Sequence, residues 1–353
     1  MIMSNPFSLL FGKPPAEVIE RGPQADLIIS DFTSVSPTTQ INMISGVRGS
    51  GKTVFLTQIA SRLREKEDWI VIDLNPDRDL LQSFAAKLNS EKTLVRIFER
   101  AKINLSMFGI GIGIEGEPPV ADIEEALTKM LHSLKKHGKR VLVTVDEASN
   151  TKAMREFISA YQIFLRNDLP VFLLMTGLYK NIDSIRNAET LTFLERAPRT
   201  ELEPLDIADI AERYMKVIGV DQEAAVRMAR ATCGYSFAFQ VLGYYAWNDP
   251  DDVEGNIKKS RQYLAEFAYK KIWSELSKKD REVVLAAAMV PTGEIYLIRE
   301  ILGWDANQFN PYRKRLIKAG IISGNQYGVI TFTLPGFDEF AEKAELELYG
   351  GRD

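Results

Sequence analysis

The sequence predicts an α/β protein whose first part is a parallel sheet with helices on both faces. Short apolar runs rich in Val, Ile and Leu alternate with helical patterns up to Pro204, and after Pro204 helical patterns and one late hairpin follow. Strands that are buried on both faces read as continuous apolar runs, and their alternation with helices is typical of parallel sheets. We therefore expect an α/β core followed by two mainly helical parts.

Five predicted strands lie in the first 205 residues: Ile41–Ser45, Trp69–Leu74, Arg140–Val145, Val171–Met175 and Thr200–Leu205. Helical spacing of apolar residues predicts helices between them, including Lys52–Arg64, Asp122–Lys136 and Thr151–Arg166. Isoleucine alternates with glycine from Phe108 to Ile114, which predicts a covered strand or, as an alternative, an inserted hairpin that contacts DNA. The expected boundaries are a lead-in at 1–35 and the core at 36–205.

The chain after Pro204 divides into two predicted domains. Residues 206–272 carry three or four helical patterns and are expected to form a helical lid. Residues 273–353 begin with a capping-box pattern at Ser277 to Asp280 and contain further helices, then two short strands around the turn at 324–328. Because helices followed by a β-hairpin make a winged helix-turn-helix, that is the domain expected at the end.

Composition narrows the class of protein. The chain has 353 residues, 45% hydrophobic and 26% charged, with a formal net charge of −4, so contact with nucleic acid would need a local basic patch. No run approaches the roughly 18 apolar residues of a membrane helix, and the start lacks a basic signal-peptide region. One cysteine excludes an internal disulfide. These features favour a cytoplasmic protein with no membrane partner.

The segment Gly46 to Thr53 matches the phosphate-loop pattern G-x₄-G-K-[ST] in full, between a predicted strand and a predicted helix. Glycines let successive backbone N–H groups point at phosphate oxygens, and the helix adds its positive N-terminal end. Lys52 would reach the β- and γ-phosphates, and the Thr53 hydroxyl would bind Mg²⁺. The expected nucleotide-binding residues are Gly46, Arg48, Gly49, Ser50, Gly51, Lys52, Thr53 and Val54. The expected cofactors are ATP and Mg²⁺, with ATP and ADP as the nucleotide partners.

Two carboxylates, Asp146 and Glu147, follow the predicted strand that ends at Val145. Beside a phosphate loop, we expect Asp146 to hold the Mg²⁺ shell with Thr53 and Glu147 to polarise the attacking water as general base. The alternative is a strand that simply ends in an acidic loop.

Two further side chains could take part in catalysis. Thr176 ends the fourth predicted strand and could orient the water or the γ-phosphate, or it could only cap the turn that follows. Arg196 precedes the last strand and could reach the nucleotide of a neighbouring subunit, or it could be an ordinary surface arginine. Both alternatives stay open at the level of the sequence.

The order of these parts resembles the AAA+ superfamily of P-loop ATPases, and more narrowly the origin-recognition-like and STAND-type ATPases of bacteria and archaea, which carry a winged helix after the lid. The resemblance rests on GVRGSGKT, VLVTVDEA, Thr176 at the sensor-1 position and the tract from Tyr312 to Pro335. It implies ATPase activity, and it implies that Asn5-Pro6-Phe7, with Phe11-Gly12, covers the adenine.

The chain departs from these families in the lid. Residues 234–247 contain no basic residue for the sensor-2 position, and Gly234-Tyr235-Ser236 stands where STAND proteins have Gly-x-Pro. The resemblance therefore implies slow hydrolysis, as in a switch that reports whether ATP is bound.

The segment from Ala306 to Gly320 carries basic residues and no acidic one, as a DNA recognition helix would. Its candidate DNA-binding residues are Arg313, Lys314, Arg315 and Lys318. Pro311 predicts either a helix that starts at Asn310 or a kink. The leading hypothesis is an ATPase or slow nucleotide switch coupled to winged-helix contacts with double-stranded DNA. The alternative is a signalling scaffold that forms homo-oligomers on ATP and uses the winged helix for protein contacts.

Overall fold

The computed structural model describes residues 4–9, 15–110, 122–188 and 191–350, with side chains up to residue 346. Internal contacts divide the chain into two compact units. The first unit consists of residues 20–45 and 52–201, and the second consists of the residues before 20, the loop 46–51 and the chain from 202 onward. Within the described ranges, no helix is both long and apolar enough to cross a membrane.

The first unit is built on a parallel sheet. Its strands are β1 (Ile41–Ser45), β2 (Trp69–Leu74), β3 (Arg140–Val145), β4 (Val171–Gly177) and β5 (Arg199–Glu201). They lie side by side in the order β2-β3-β4-β1-β5, and every pair is parallel. Every residue of β1 and β4 is buried, so both faces of the central strands are covered. The predicted α/β class is confirmed.

The fifth strand is shorter than the predicted Thr200–Leu205, and that prediction was wrong at its end. β5 pairs only with β1, from Met43 opposite Arg199 to Ser45 opposite Glu201. The pairing stops at Glu201 because β1 itself ends at Ser45 and continues as the loop 46–51. Pro204 also lacks the backbone N–H that a longer strand would need.

Seven helices accompany the sheet in the described part of the first unit: α1 (Gly22–Thr33), α2 (Lys52–Arg64), α3 (Leu80–Ser90), α4 (Val95–Arg100), α5 (Ile123–Lys136), α6 (Lys152–Arg166) and α7 (Tyr179–Arg186). The predicted helix at Lys52–Arg64 is confirmed residue for residue. The other two begin one residue later than predicted, because Asp122 and Thr151 are N-caps whose side chains accept hydrogen bonds from Glu124 and Met154.

The Ile/Gly segment from Phe108 to Ile114 is mostly outside the described residues, which exclude 111–121. Its described beginning is not a strand: Ser106–Phe108 forms one turn of 3-10 helix, and Gly109 has a left-handed φ of 66°. Ile110 is buried in the core of the first unit.

From residue 202 onward, the second unit first forms five α-helices: α8 (Ile207–Ile218), α9 (Gln222–Ala231), α10 (Ser236–Asn248), α11 (Val253–Leu264) and α12 (Lys270–Glu275). The lead-in packs on α8 and α10. Phe7 is buried between Tyr214 and Phe239, and the Asn5 side chain donates to the Tyr244 carbonyl at 3.0 Å. Phe11 and Gly12 lie outside the described residues.

The end of the second unit has the element order of a winged helix. It contains α13 (Lys278–Ala288), α14 (Ile295–Leu302), α15 (Ala306–Lys318), β6 (Ile322–Ser323), β7 (Thr331–Phe332) and α16 (Phe337–Gly350). β6 and β7 are antiparallel. The capping box at Ser277 and Asp280 is confirmed. Asp305 caps α15, so Pro311 lies inside the helix rather than in its first turn.

Candidate functional site

The carboxyl edge of the sheet brings together three predicted site residues: the expected metal ligands Thr53 and Asp146, and Thr176, which was expected to act in catalysis. β3 and β4 are neighbours in the sheet, so Asp146 and Thr176 lie side by side where the strands end. The Thr53 hydroxyl, in the first turn of α2, donates to Asp146 Oδ2 at 2.7 Å, and the Thr176 hydroxyl donates to Asp146 Oδ1. Thr176 is fully buried and its hydroxyl contacts the carboxylate, and its part in catalysis stays a prediction.

Glu147 is held next to this cluster in a strained backbone conformation. Its φ is 55°, a left-handed value that costs a non-glycine residue about 1–2 kcal/mol. Its N–H lies 3.0 Å from Asp146 Oδ1 and 3.3 Å from the Thr176 hydroxyl oxygen, and its side chain is exposed. Lys102, Asp168 and Cys233 have similar φ values, so the conformation alone assigns no role, and the general-base role of Glu147 stays a prediction.

The donor set at this edge fits a magnesium ion. Mg²⁺ prefers oxygen ligands and is usually held by one or two protein groups, substrate phosphates and water. Thr53 and Asp146 supply a hydroxyl and a carboxylate in direct contact. The predicted pairing of these two residues as metal ligands is therefore compatible with their geometry.

The loop Gly46–Gly51 belongs to the second unit, and its glycines are needed for its shape. Gly49 and Gly51 have φ values of 78° and 88°, which only glycine adopts without strain. A Cβ atom on Gly46 would lie 2.5 Å from the Ser50 hydroxyl. The local backbone thus requires glycine at 49 and 51, whereas at Gly46 the close atom belongs to a serine side chain.

Three consecutive carbonyls of this loop accept hydrogen bonds from three consecutive residues at the start of α10. The Tyr235 hydroxyl donates to the Arg48 carbonyl at 2.7 Å, the Phe237 N–H to the Gly49 carbonyl at 3.1 Å, and the Ser236 hydroxyl to the Ser50 carbonyl at 3.0 Å. Tyr235 is 4% exposed, and burial raises its pKa well above the usual value. It therefore stays a neutral hydrogen-bond donor.

Arg48 was expected among the nucleotide-binding residues. Its guanidinium lies 3.5 Å from the Glu275 carboxylate at the end of α12. The side chain thus makes a contact within the second unit, and its backbone carbonyl is the acceptor for Tyr235.

Arg196, the predicted trans-acting arginine, is exposed on a short 3-10 helix at Thr192–Arg196. That position suits a surface arginine and a group that reaches a neighbouring subunit equally well, so its role stays a prediction. Nearby Arg199 is anchored instead: its guanidinium lies 4.7 Å from the centre of the Tyr179 ring and forms an ion pair with Glu201.

The four basic residues of α15 differ in what they do in the second unit. Arg315 is bound to the buried carboxylate of Asp280 at 2.7 Å and 2.9 Å, so it supports the fold. Arg313 is half-buried against Gly324, whereas Lys314 and Lys318 are exposed. The lysines are consequently the better placed of the four for contact with a DNA backbone.

Sequence reasoning missed the role of Tyr235 and Ser236. Their segment was identified only by what it lacks, the proline or arginine of related lids. The one local signal in the sequence is Gly234, which the structure places with a φ of 73° in a tight turn before α10. A glycine directly before a helix that starts with hydroxyl side chains indicates such a turn. The contact of those side chains with the loop at 46–51 depends on tertiary structure, so the sequence does not predict it.

Residues 34–167 match a family model described as an ATPase domain predominantly from Archaea. This match covers the phosphate-loop segment and Asp146 and indicates similarity to an archaeal ATPase domain. Residues 266–341, which span α13 to β7 and the start of α16, match a family described as a domain of unknown function. No curated protein has a significantly similar sequence.

Two solved structures share the fold of the ATPase and the parts that follow it. A Walker-type ATPase of Pyrococcus abyssi has 15% identity and a TM-score of 0.59, with 92% of this chain and 96% of that chain covered. The ORC2 protein of Aeropyrum pernix, solved as ADPNP and ADP complexes, has 13% identity and a TM-score of 0.58, with 97% and 98% covered. The resemblance to origin-recognition-like ATPases expected from the sequence is confirmed at the level of the fold.

Proposed function

We propose that this protein is a slow ATP-dependent switch whose winged helix contacts double-stranded DNA according to the nucleotide bound. The contact of Thr53 and Thr176 with both oxygens of the Asp146 carboxylate carries the ATPase part of the proposal. The ORC2 structure with bound nucleotide supports ATP and ADP as ligands. When bound, Mg²⁺ would neutralise phosphate charge.

The residues of this chain have separable roles in the proposed reaction. Thr53 and Asp146 hold the metal shell, and Lys52 binds the β- and γ-phosphates. The Glu147 carboxylate, exposed beside them, accepts a proton from the attacking water. Thr176 orients Asp146 and, through the Glu147 N–H, the backbone that carries the base.

Two substitutions test the ATPase assignment. Lys52→Ala should abolish ATP binding measured by isothermal titration calorimetry. Glu147→Gln should keep ATP affinity but reduce hydrolysis by at least about 100-fold, since general-base catalysis typically supplies 10²- to 10⁴-fold. Full hydrolysis by Glu147→Gln would refute its role as base, and a wild-type protein without affinity for any purine triphosphate would refute the function itself.

The DNA part of the proposal is best tested with the exposed lysines, because Arg315 is needed for the fold. Changing Lys314 and Lys318 to alanine should weaken DNA binding and reduce the salt slope by about 1 for each lost phosphate contact. Lys258→Ala, an exposed lysine on α11, is a matched control that should change neither. Equal effects of the control and the double variant would argue against DNA contact through α15.

A second candidate function is supported by exposed apolar side chains around the winged helix. Tyr296 and Ile301 on α14 are 62% and 47% exposed, and Met289 and Tyr327 are 64% and 102% exposed. Such side chains suit contact with a protein. An oligomerising scaffold would show a mass increase with a slowly hydrolysed ATP analogue in light scattering and no affinity for DNA at low salt.

A further inference from the structure

We infer that Tyr235 is a positioning residue for the phosphate loop: its hydroxyl orients the Arg48–Gly49 peptide so that the Gly49 N–H faces the phosphates of the nucleotide. This inference deepens the proposed ATPase function and rests on it. Tyr235, Arg48 and Gly49 all belong to the second unit, and the hydroxyl lies 2.7 Å from the Arg48 carbonyl oxygen.

The planar peptide bond explains how a bond to a carbonyl can direct an N–H. In a trans peptide, the carbonyl of one residue and the N–H of the next point in opposite directions. The chain contains no cis peptide bonds among its described residues. Because Tyr235 holds the Arg48 carbonyl on the α10 side, the Gly49 N–H must point to the opposite side of the loop.

The same geometry applies two residues further along the loop. Ser236 donates to the Ser50 carbonyl at 3.0 Å, so the Gly51 N–H is also directed away from α10. Between them, the Phe237 N–H occupies the Gly49 carbonyl. The start of α10 therefore fixes three successive peptide planes of the loop from outside. The Ser50 N–H donates to the Val47 carbonyl at 3.1 Å, so the Gly49 and Gly51 N–H groups are the ones assigned to the phosphates.

A glycine-rich loop needs such outside support. Gly49 and Gly51, with φ values of 78° and 88°, have more accessible backbone conformations than any other residue would. If the carbonyls were not fixed, nucleotide binding would have to offset the entropic cost of ordering the loop, and the affinity for nucleotide would be weaker. The Tyr235 ring is also in close contact, since a Cβ on Gly49 would lie 2.3 Å from its hydroxyl oxygen.

The test is Tyr235→Phe, which removes the hydroxyl and keeps the buried ring. Loss of one neutral hydrogen bond should weaken ATP binding by about fivefold, equivalent to about 1 kcal/mol. Mg²⁺ with inorganic triphosphate should lose affinity by the same factor, because the effect acts on the phosphates and not on the base. In turnover, the change should appear in KM, with kcat within about twofold of wild type.

The matched control is Tyr269→Phe. The Tyr269 hydroxyl also donates to a backbone carbonyl, that of Pro335, at 2.8 Å, and its ring is fully buried in the second unit. Both variants should lower the unfolding temperature to a similar extent, but only Tyr235→Phe should weaken triphosphate binding.

The outcomes separate this inference from the proposed function. Unchanged triphosphate affinity in Tyr235→Phe, or an equal loss in Tyr269→Phe, would overturn the role of Tyr235 while leaving the ATPase intact. Absence of ATP binding in the wild-type protein would instead overturn both. Ser236→Ala provides a second test if Tyr235→Phe does not fold stably. It should weaken triphosphate binding through the orientation of the Ser50–Gly51 peptide.

Discussion

Thr176→Val would test whether the buried hydroxyl at the sheet edge serves catalysis. Valine has nearly the shape of threonine and suits a strand, so β4 should form unchanged. The backbone carbonyl of Thr176 would keep its bond to the Ala148 N–H at 2.7 Å. What disappears is the hydroxyl that donates to Asp146 Oδ1 and lies 3.3 Å from the Glu147 nitrogen.

The expected magnitude follows from the charge of the partner. A hydrogen bond to an ionised group contributes about 1.5–3 kcal/mol, and each 1.4 kcal/mol corresponds to a factor of ten in rate. If the bond is fully formed in the transition state, Thr176→Val should lower kcat by roughly 10- to 100-fold. Affinity for ATP should change by less than about threefold, since the loop at 46–51 is not altered.

The assay combines steady-state ATP hydrolysis with calorimetric ATP binding. Thr176→Ser keeps a hydroxyl at this position, so it should retain kcat within about threefold of wild type. A wild-type kcat in Thr176→Val would refute the argument that this hydroxyl orients the two acids. Equal losses in the serine and valine variants would show that packing, and not hydrogen bonding, is what matters.

Two further predictions concern stability. Glu147→Gly should abolish turnover, while the free energy of unfolding in urea should stay within about 1 kcal/mol of wild type. Relief of the left-handed strain offsets the greater entropy of glycine in the unfolded chain. A loss of several kcal/mol would contradict this expectation. Arg315→Ala should lower the free energy of unfolding by about 1–3 kcal/mol, because it leaves the 4%-exposed Asp280 without its ion pair. Lys314→Ala should change it by less than about 0.5 kcal/mol, and equal values for the two variants would refute the structural role of Arg315.

Much of the first unit could be predicted because its signals are local. Continuous apolar runs gave four of the five strands nearly to the residue, and Asp122 and Thr151 gave helix starts through their capping chemistry. The last strand was predicted too long because its end depends on where β1 ends. The length of a strand depends on the strand with which it pairs, and the residues of one strand alone do not show where its partner ends.

The candidate site could be predicted only as far as its residues follow strand ends. Asp146 and Thr176 follow neighbouring strands, so the parallel sheet brings them together. The left-handed φ of Glu147 could not be predicted from the sequence, because glutamate rarely adopts such a φ. On α15, composition alone did not distinguish Arg315, which binds Asp280, from the exposed Lys314 beside it.

The turn before α10 also provides a single position for labelling. Cys233 is the one cysteine of the chain, is exposed, and lies two residues before Tyr235. A thiol-reactive fluorophore would therefore attach at a single defined position without any engineered cysteine, and because partial burial raises the pKa of this thiol, the reaction is best run at alkaline pH. Its emission, followed during rapid mixing with triphosphate, would report in real time how the start of α10 responds when the loop at 46–51 takes up phosphate.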